Sequence, residues 1–233
     1  MLSNKYSNIL TMLLVIFIVA IIGIIGYFGY DLLNSKSVND NAQSTLEEFE
    51  KSVKRETISK EPAVNNTTEN TAVVNPLDQL NQMTDTQNTV TEEAQEPEKV
   101  YMEGYEVKGR IQIPKTGVDY PVLAEVTKKS LEIAVGIAYG PGLNEVGNTI
   151  IFGHNYRNGL FFSDNKKLAN GDKILITDQM GQTVTYSIYN IYQTTPSDAE
   201  YFKRDTEGRR EISLQTCTDD SSARIIIWAA EVQ

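Results

Sequence analysis

Three textures of hydrophobic and polar positions follow one another along the chain. From Ile9 to Tyr30 nearly every side chain is apolar and none is charged (ILTMLLVIFIVAIIGIIGYFGY). As a helix rising about 1.5 Å per residue, this run spans about 33 Å, enough for a hydrocarbon core of roughly 30 Å. Tyr27 and Tyr30 fall at its far end, where interfacial aromatics belong. The run is longer than an h-region of about 7–15 residues, and no A-x-A-like site follows. It therefore predicts an uncleaved transmembrane anchor over residues 1–30, not a signal peptide. Lys5 precedes the run and Lys36 follows it. The positive-inside rule favours a cytoplasmic N-terminus and an extracellular C-terminal domain.

Residues 31–100 have a second texture, dominated by Asn, Thr, Gln and Glu. Large apolar side chains are too sparse there for a core, which predicts an acidic, largely disordered linker. As a flexible coil it would extend about 45 Å and hold the last domain well above the bilayer. One short helix is expected at Ser44–Arg55, with Ser44 and Glu47 as a capping box and Leu46, Phe49 and Val53 on one face. Asn65-Asn66-Thr67 fits a glycosylation sequon.

From Tyr101 to Gln233 the pattern turns to short strands between turn signals. Strands are expected at Val107–Ile113, Asp119–Leu123, Thr149–Phe152, Lys173–Thr177, Gln182–Tyr192, Glu211–Cys217 and Ala223–Ala230. Gly- and Asn-rich turns separate them. Short helices are expected near Lys128–Ala134 and after Pro196, the latter with Ser197 and Glu200 as a capping box. Residues 101–233 thus read as one all-β domain, a sandwich or a barrel.

Charge and composition narrow the chemistry. The formal net charge is −10, most of it in residues 31–100. No basic cluster suited to nucleic acid appears. The chain has one cysteine and one histidine. An internal disulfide is excluded, as is a structural zinc site needing about four Cys or His ligands. No cofactor is called for. Thiol or imidazole chemistry must use Cys217 or His154.

Strand parity bears on Cys217. In Glu211–Cys217 the even positions Ile212 and Leu214 are apolar and the odd ones polar, so Cys217 shares a face with Glu211, Ser213 and Gln215. A structural free cysteine normally packs as a small hydrophobe; this one falls on the polar face, at a strand end. Arg224 opens the next strand. A hairpin would set its guanidinium beside the sulfur, where it would favour the thiolate and a developing oxyanion. The plainer alternative is a surface arginine paired with Asp219 or Asp220. His154 leaves another strand just after Gly153, and with a thiol it supplies a general acid to a nucleophile. Asp219 and Asp220 beside the thiol predict cationic or neutral acceptors.

Ile212-Ser213-Leu214-Gln215-Thr216-Cys217 followed by Arg224 resembles the sortase signature, a T-L-x-T-C strand with an arginine on the next strand. Asn148–His154 is similar to the family's histidine-bearing strand, and Gly109–Pro114 to its opening strand. Ser213 stands where the pattern often has threonine. The resemblance covers roughly residues 105–231 and implies a closed eight-stranded β-barrel on the outer face of a Gram-positive plasma membrane. It implies a transpeptidase that cleaves an LPXTG-like C-terminal sorting motif on surface proteins. The acyl group would pass to an amine, such as that of a peptidoglycan precursor. Cys217 would carry the thioacyl intermediate, His154 the protons and Arg224 the oxyanion, with Thr216 lining the substrate groove.

Pilin-polymerising members carry a second hydrophobic helix at the C-terminus and an Asp-Pro-aromatic lid motif. This chain shows neither, and Asn75-Pro76-Leu77 matches the lid poorly. The short Cys-to-Arg loop resembles class B and the opening strand other classes, so the subclass stays open. Glu200–Arg210 offers no calcium-ligand cluster. Two other functions fit the residues: an extracellular cysteine protease with water as acceptor, and a non-catalytic surface-binding domain on a stalk.

Overall fold

The computed structural model describes residues 4–59 and 98–232. Nine strands follow the long first helix: β1 Tyr101–Met102, β2 Tyr105–Ile113, β3 Val118–Leu123, β4 Val135–Tyr139, β5 Gly147–Phe152, β6 Lys173–Asp178, β7 Thr183–Thr194, β8 Arg210–Cys217 and β9 Arg224–Glu231. The spatial order is β2-β3-β4-β5-β8-β9-β7-β6, and β6 pairs back onto β2 through Gly109–Gln112 and Leu175–Asp178. Eight strands thus close into a barrel, with β1 a short extra strand beside β2. Closure removes the free edges that a sheet this size would otherwise expose.

Inward positions fill the barrel: Val107, Ile111 and Ile113 alternate along β2, and Ile151, Ile174, Ile176, Ile212, Leu214 and Ile227 join them. All seven expected strands are present. β4 is the one that the pattern concealed. Ile133–Ala138 is apolar apart from Gly136 and carries no polar turn residue, so the end of a helix and the start of a strand merge in it. Helix α2, Ser130–Ile133, precedes β4, and it is started by reciprocal bonds between Thr127 and Ser130. After Pro196 the chain makes only a 3-10 turn, Glu200–Lys203. Ser197 does not cap it; Ala199 stands at the N-cap, and Asp198 accepts from the Glu200 amide at 2.9 Å.

The first helix, α1, corrects the linker expectation. It runs unbroken from Asn4 to Ser59, so residues 31–59 are helical, and no break marks residue 30. The short helix expected at Ser44–Arg55 is a segment of it. Ser44 caps nothing there and bonds back to the Asn41 carbonyl. The predicted face is the one that packs: Leu46 and Phe49 are each 2% exposed, and Val38 and Val53 lie partly buried against the barrel cluster that Ala42 and Phe49 join. Burying Leu46 and Phe49 alone is worth roughly 3–6 kcal/mol. Those two residues are too few for a core of their own; the barrel wall supplies the rest.

Polar contacts fix the register of this docking. Arg110 on β2 bonds Asp119 at 2.6 Å and reaches Glu50 on the helix. Tyr120 donates to Asn39 at 2.7 Å, and Asn41 to Glu103 at 3.0 Å. Among the described residues one helix is long and apolar enough to cross a membrane. Its large apolar side chains from Ile9 to Leu33 are exposed. The rest of the expected linker, with Asn65-Asn66-Thr67 and Asn75-Pro76-Leu77, lies outside the described residues.

Candidate active site

Three neighbouring strands bring the chemistry together. β8 and β9 are antiparallel, and Cys217 pairs with Arg224 as the last rung of their ladder. β5 runs parallel to β8 on the other side, its last rung pairing Phe152 with Gln215. Continued by two residues, that register sets His154 beside Cys217. Adjacent strands are about 4.8 Å apart, so His154, Cys217 and Arg224 form one row across the barrel rim. Thr194 of β7 extends it beyond Arg224.

Local sequence explains how His154 reaches that place. A Cβ on Gly153 would stand 2.6 Å from the Phe162 ring and 2.9 Å from Val135, so only glycine lets the strand exit so close to the barrel wall. Asn155 then ties the exit down: its Nδ2 donates to the Cys217 carbonyl at 2.9 Å and to Asp219 at 3.0 Å. The His154 ring lies 4.8 Å from that of Tyr156. Burial holds the His154 pKa below its ordinary value, partly offset by Glu132. At neutral pH the imidazole is therefore mainly neutral.

Arg224 is not the surface ion pair of the plainer reading. Asp219 pairs with Lys166 at 2.6 Å. Asp220 accepts from Thr218 at 2.6 Å and from Ser222, with its pKa held down to about 2, chiefly by the Thr218 bond. Arg224 donates only to the carbonyls of Ala223, at 3.1 Å, and Ser221, at 3.4 Å. Among the described residues no carboxylate is in salt-bridge range of it. Both of its hydrogen bonds among the described residues come from Nη1. The acidic rim expected from Asp219 and Asp220 is correspondingly weaker, since Asp219 faces a lysine.

Parity holds for Cys217, whose outward face is distinct from the barrel interior, but that face is not a solvent face. Glu211 is 1% exposed and Ser213 0%, because the loop between β7 and β8 folds over them. Tyr201 and Ile226, with Ile150 behind them, make a second small apolar cluster, and Phe152, Tyr192, Phe202 and Trp228 pack on it. Arg204 locks the loop: it pairs with the fully buried Glu211 carboxylate, stacks 4.2 Å over the Trp228 ring and bonds Asn148 at 3.3 Å. Tyr189 donates to Glu211 at 2.6 Å, its pKa pushed up to about 12 by burial first and that bond second. Tyr201 donates to Gln215, two residues before the thiol. Burial pushes the Tyr201 pKa up, and Arg224 draws it back.

Thr216 was expected to line the substrate groove. By the same parity its side chain points inward, 3% exposed, with a hydroxyl that has no partner, so the structure does not bring it to the face of Cys217. The sequence reading missed Asn155, Tyr201 and Arg204, since their partners are remote along the chain. Among the described residues no cluster of three or more His, Cys, Asp or Glu side chains is placed to hold a metal ion.

A family model for the sortase domain matches residues 111–232. Sortase A of Bacillus anthracis is 32% identical over 125 residues, covering 52% of this chain and 58% of that protein. Among solved structures, sortase A from Corynebacterium diphtheriae is similar with a TM-score of 0.51 at 27% identity, covering 55% of this chain and 62% of that one. A sortase D5 transpeptidase of Clostridium perfringens reaches 0.50 at 29% identity, covering 55% and 79%. The chain thus spans less than two thirds of the Bacillus and Corynebacterium proteins.

Proposed function

Because the chain belongs to the sortase family, we propose that it is a membrane-anchored cysteine transpeptidase using Cys217, His154 and Arg224 on LPXTG-like sorting motifs of surface proteins. The observation that carries this reading is the single row of those side chains across β5, β8 and β9. The Cys217 thiol passes its proton to His154, and the sulfur attacks the carbonyl carbon of the scissile peptide bond. Arg224 holds the oxygen as it becomes negative. His154 returns the proton to the leaving amine as the C–N bond breaks, leaving a thioester on Cys217. An incoming amine then attacks that carbonyl, gives its proton to His154 and expels the sulfur, which is reprotonated. Asn155 keeps the histidine loop against the cysteine strand through both halves.

In this reading α1 anchors the chain in the plasma membrane, N-terminus cytoplasmic and barrel outside. The acceptor is an amine of the cell wall or of another surface protein. The test incubates the protein with LPXTG-like peptides and glycine oligomers, beside a Cys217→Ala control, and reads products by mass spectrometry. Ligated product that requires Cys217 is expected. Cleavage without ligation in the presence of amines points to a protease, and no reaction across a broad library points to a binding domain.

A further inference from the structure

The sequence predicted a barrel held far above the bilayer on a flexible tether, whereas the structure docks it on the same helix that carries the apolar run. The Asn158 side-chain amide donates to Ser35 Oγ at 3.0 Å. Ser35 is two positions beyond Leu33, where the exposed apolar surface of α1 ends. Two residues of helix rise about 3 Å, and each headgroup layer is about 5–7 Å thick. Counted from Tyr30 or from Leu33, the contact lies about 3–8 Å beyond the apolar surface, at the headgroup level of a bilayer that α1 spans.

The other end of the barrel is equally well placed. A Cβ on Gly181, in the turn between β6 and β7, would stand 2.5 Å from Val53. Val53 is twenty positions beyond Leu33, hence about 30 Å along the helix. Between these points α1 contains no proline to kink it, and the buried face and the Arg110 bridge hold it to the wall.

The low end carries the catalytic histidine. Loop 155–160 follows His154 directly, and its first residue binds the Cys217 carbonyl. Its tip presents an aromatic ring and a cation: Tyr156 is 40% exposed and Arg157 is exposed in a left-handed conformation with φ 63°. Such residues suit a headgroup layer. Between this loop and α1 lies a cleft of about 660 Å3, lined by Tyr27, Asp31 and Asn34 on the helix side and Tyr156, Arg157 and Asn158 on the barrel side.

We propose that the docked half of α1 is a rigid strut that seats loop 155–160 on the lipid headgroup layer, so that the histidine end of the catalytic row works at the bilayer surface. The partner of this surface is the lipid headgroup itself. Transfer is confined to substrates presented within reach of that plane. The functional half of the inference rests on the transpeptidase reading above; the seating does not.

Full-length Cys217→Ala protein, carrying either Asn158→Cys or Met180→Cys labelled with bimane, is placed in phosphatidylglycerol–phosphatidylethanolamine vesicles containing a headgroup-nitroxide lipid. Quenching at position 158 several-fold above that at position 180 is expected. Equal quenching, or none at 158, overturns the strut. In the chain with Cys217 intact, seven helical residues inserted between Leu33 and Asn34 lift the barrel by about 10 Å and turn it by only about 20°. Transfer between vesicle-anchored substrates is expected to fall several-fold, with peptide-to-glycine transfer in solution unchanged. Unchanged transfer on vesicles overturns the functional half. A chain without the insertion that ligates no peptide in solution sinks the transpeptidase reading, while the quenching still decides the seating.

Discussion

Replacing Arg204 by methionine tests whether an ion pair holds the loop over the catalytic strand. Glu211 has a side chain 0% exposed and Arg204 one that is 14% exposed, so the substitution leaves a carboxylate buried. Breaking a buried pair from one side costs about 3–5 kcal/mol. Two groups soften the loss: Arg209, half exposed, stays 2.9 Å from Glu211, and Tyr189 still donates to it. The stacking on Trp228, worth about 0.5–1 kcal/mol at a partly exposed site, is lost as well. A net destabilisation of about 3 kcal/mol follows, equivalent to a Tm lower by about 10 °C. Trp228 is the only tryptophan, so urea unfolding followed by its fluorescence reads both global stability and the state of this contact. The decisive companion is the double variant Arg204→Met with Glu211→Met, in which no charge is stranded. It should recover most of the loss, to within about 1 kcal/mol of the parent. A single variant costing under about 1 kcal/mol, or a double variant less stable than Arg204→Met, refutes the reasoning.

Three further outcomes follow from the site. With His154 held below its ordinary pKa of about 6.5, protonation of the imidazole switches the site off only below that pH. The acid limb of kcat/KM should lie there, and Glu132→Gln, which removes the raising influence, should move it lower still; a limb that stays or rises contradicts the assignment. Asn155→Ala should lower kcat/KM about tenfold to a hundredfold by freeing the histidine loop, while costing only about 1 kcal/mol in urea unfolding. Equal losses in an Asp219→Asn control would point to Asp219 as the partner that matters. Gly153→Ala forces a methyl against Phe162 and Val135, with about 1–3 kcal/mol of destabilisation expected by thermal melting; a neutral result would show that the wall yields there.

The pattern of polar and apolar positions along the chain was enough for the long apolar helix, for seven of the barrel strands and for the face that Cys217 occupies. Each depends on neighbours two, three or four residues apart, and side-chain direction in a strand or helix is local geometry. The presence of a single thiol and a single imidazole left no choice about which residues to consider. Closure of the barrel through β6 and β2 is another matter, as is the row that aligns His154, Cys217 and Arg224. Those depend on registers between strands remote in sequence. Nothing in Glu211–Cys217 reveals that Arg204 and Tyr201 will return to cover the polar face of β8. Residues 31–59 looked too polar to fold because their apolar stripe is too thin for a core. Packed on a wall built some sixty residues later, the same stripe is sufficient. Local periodicity decides which way a side chain points, and only the tertiary structure decides what it meets there.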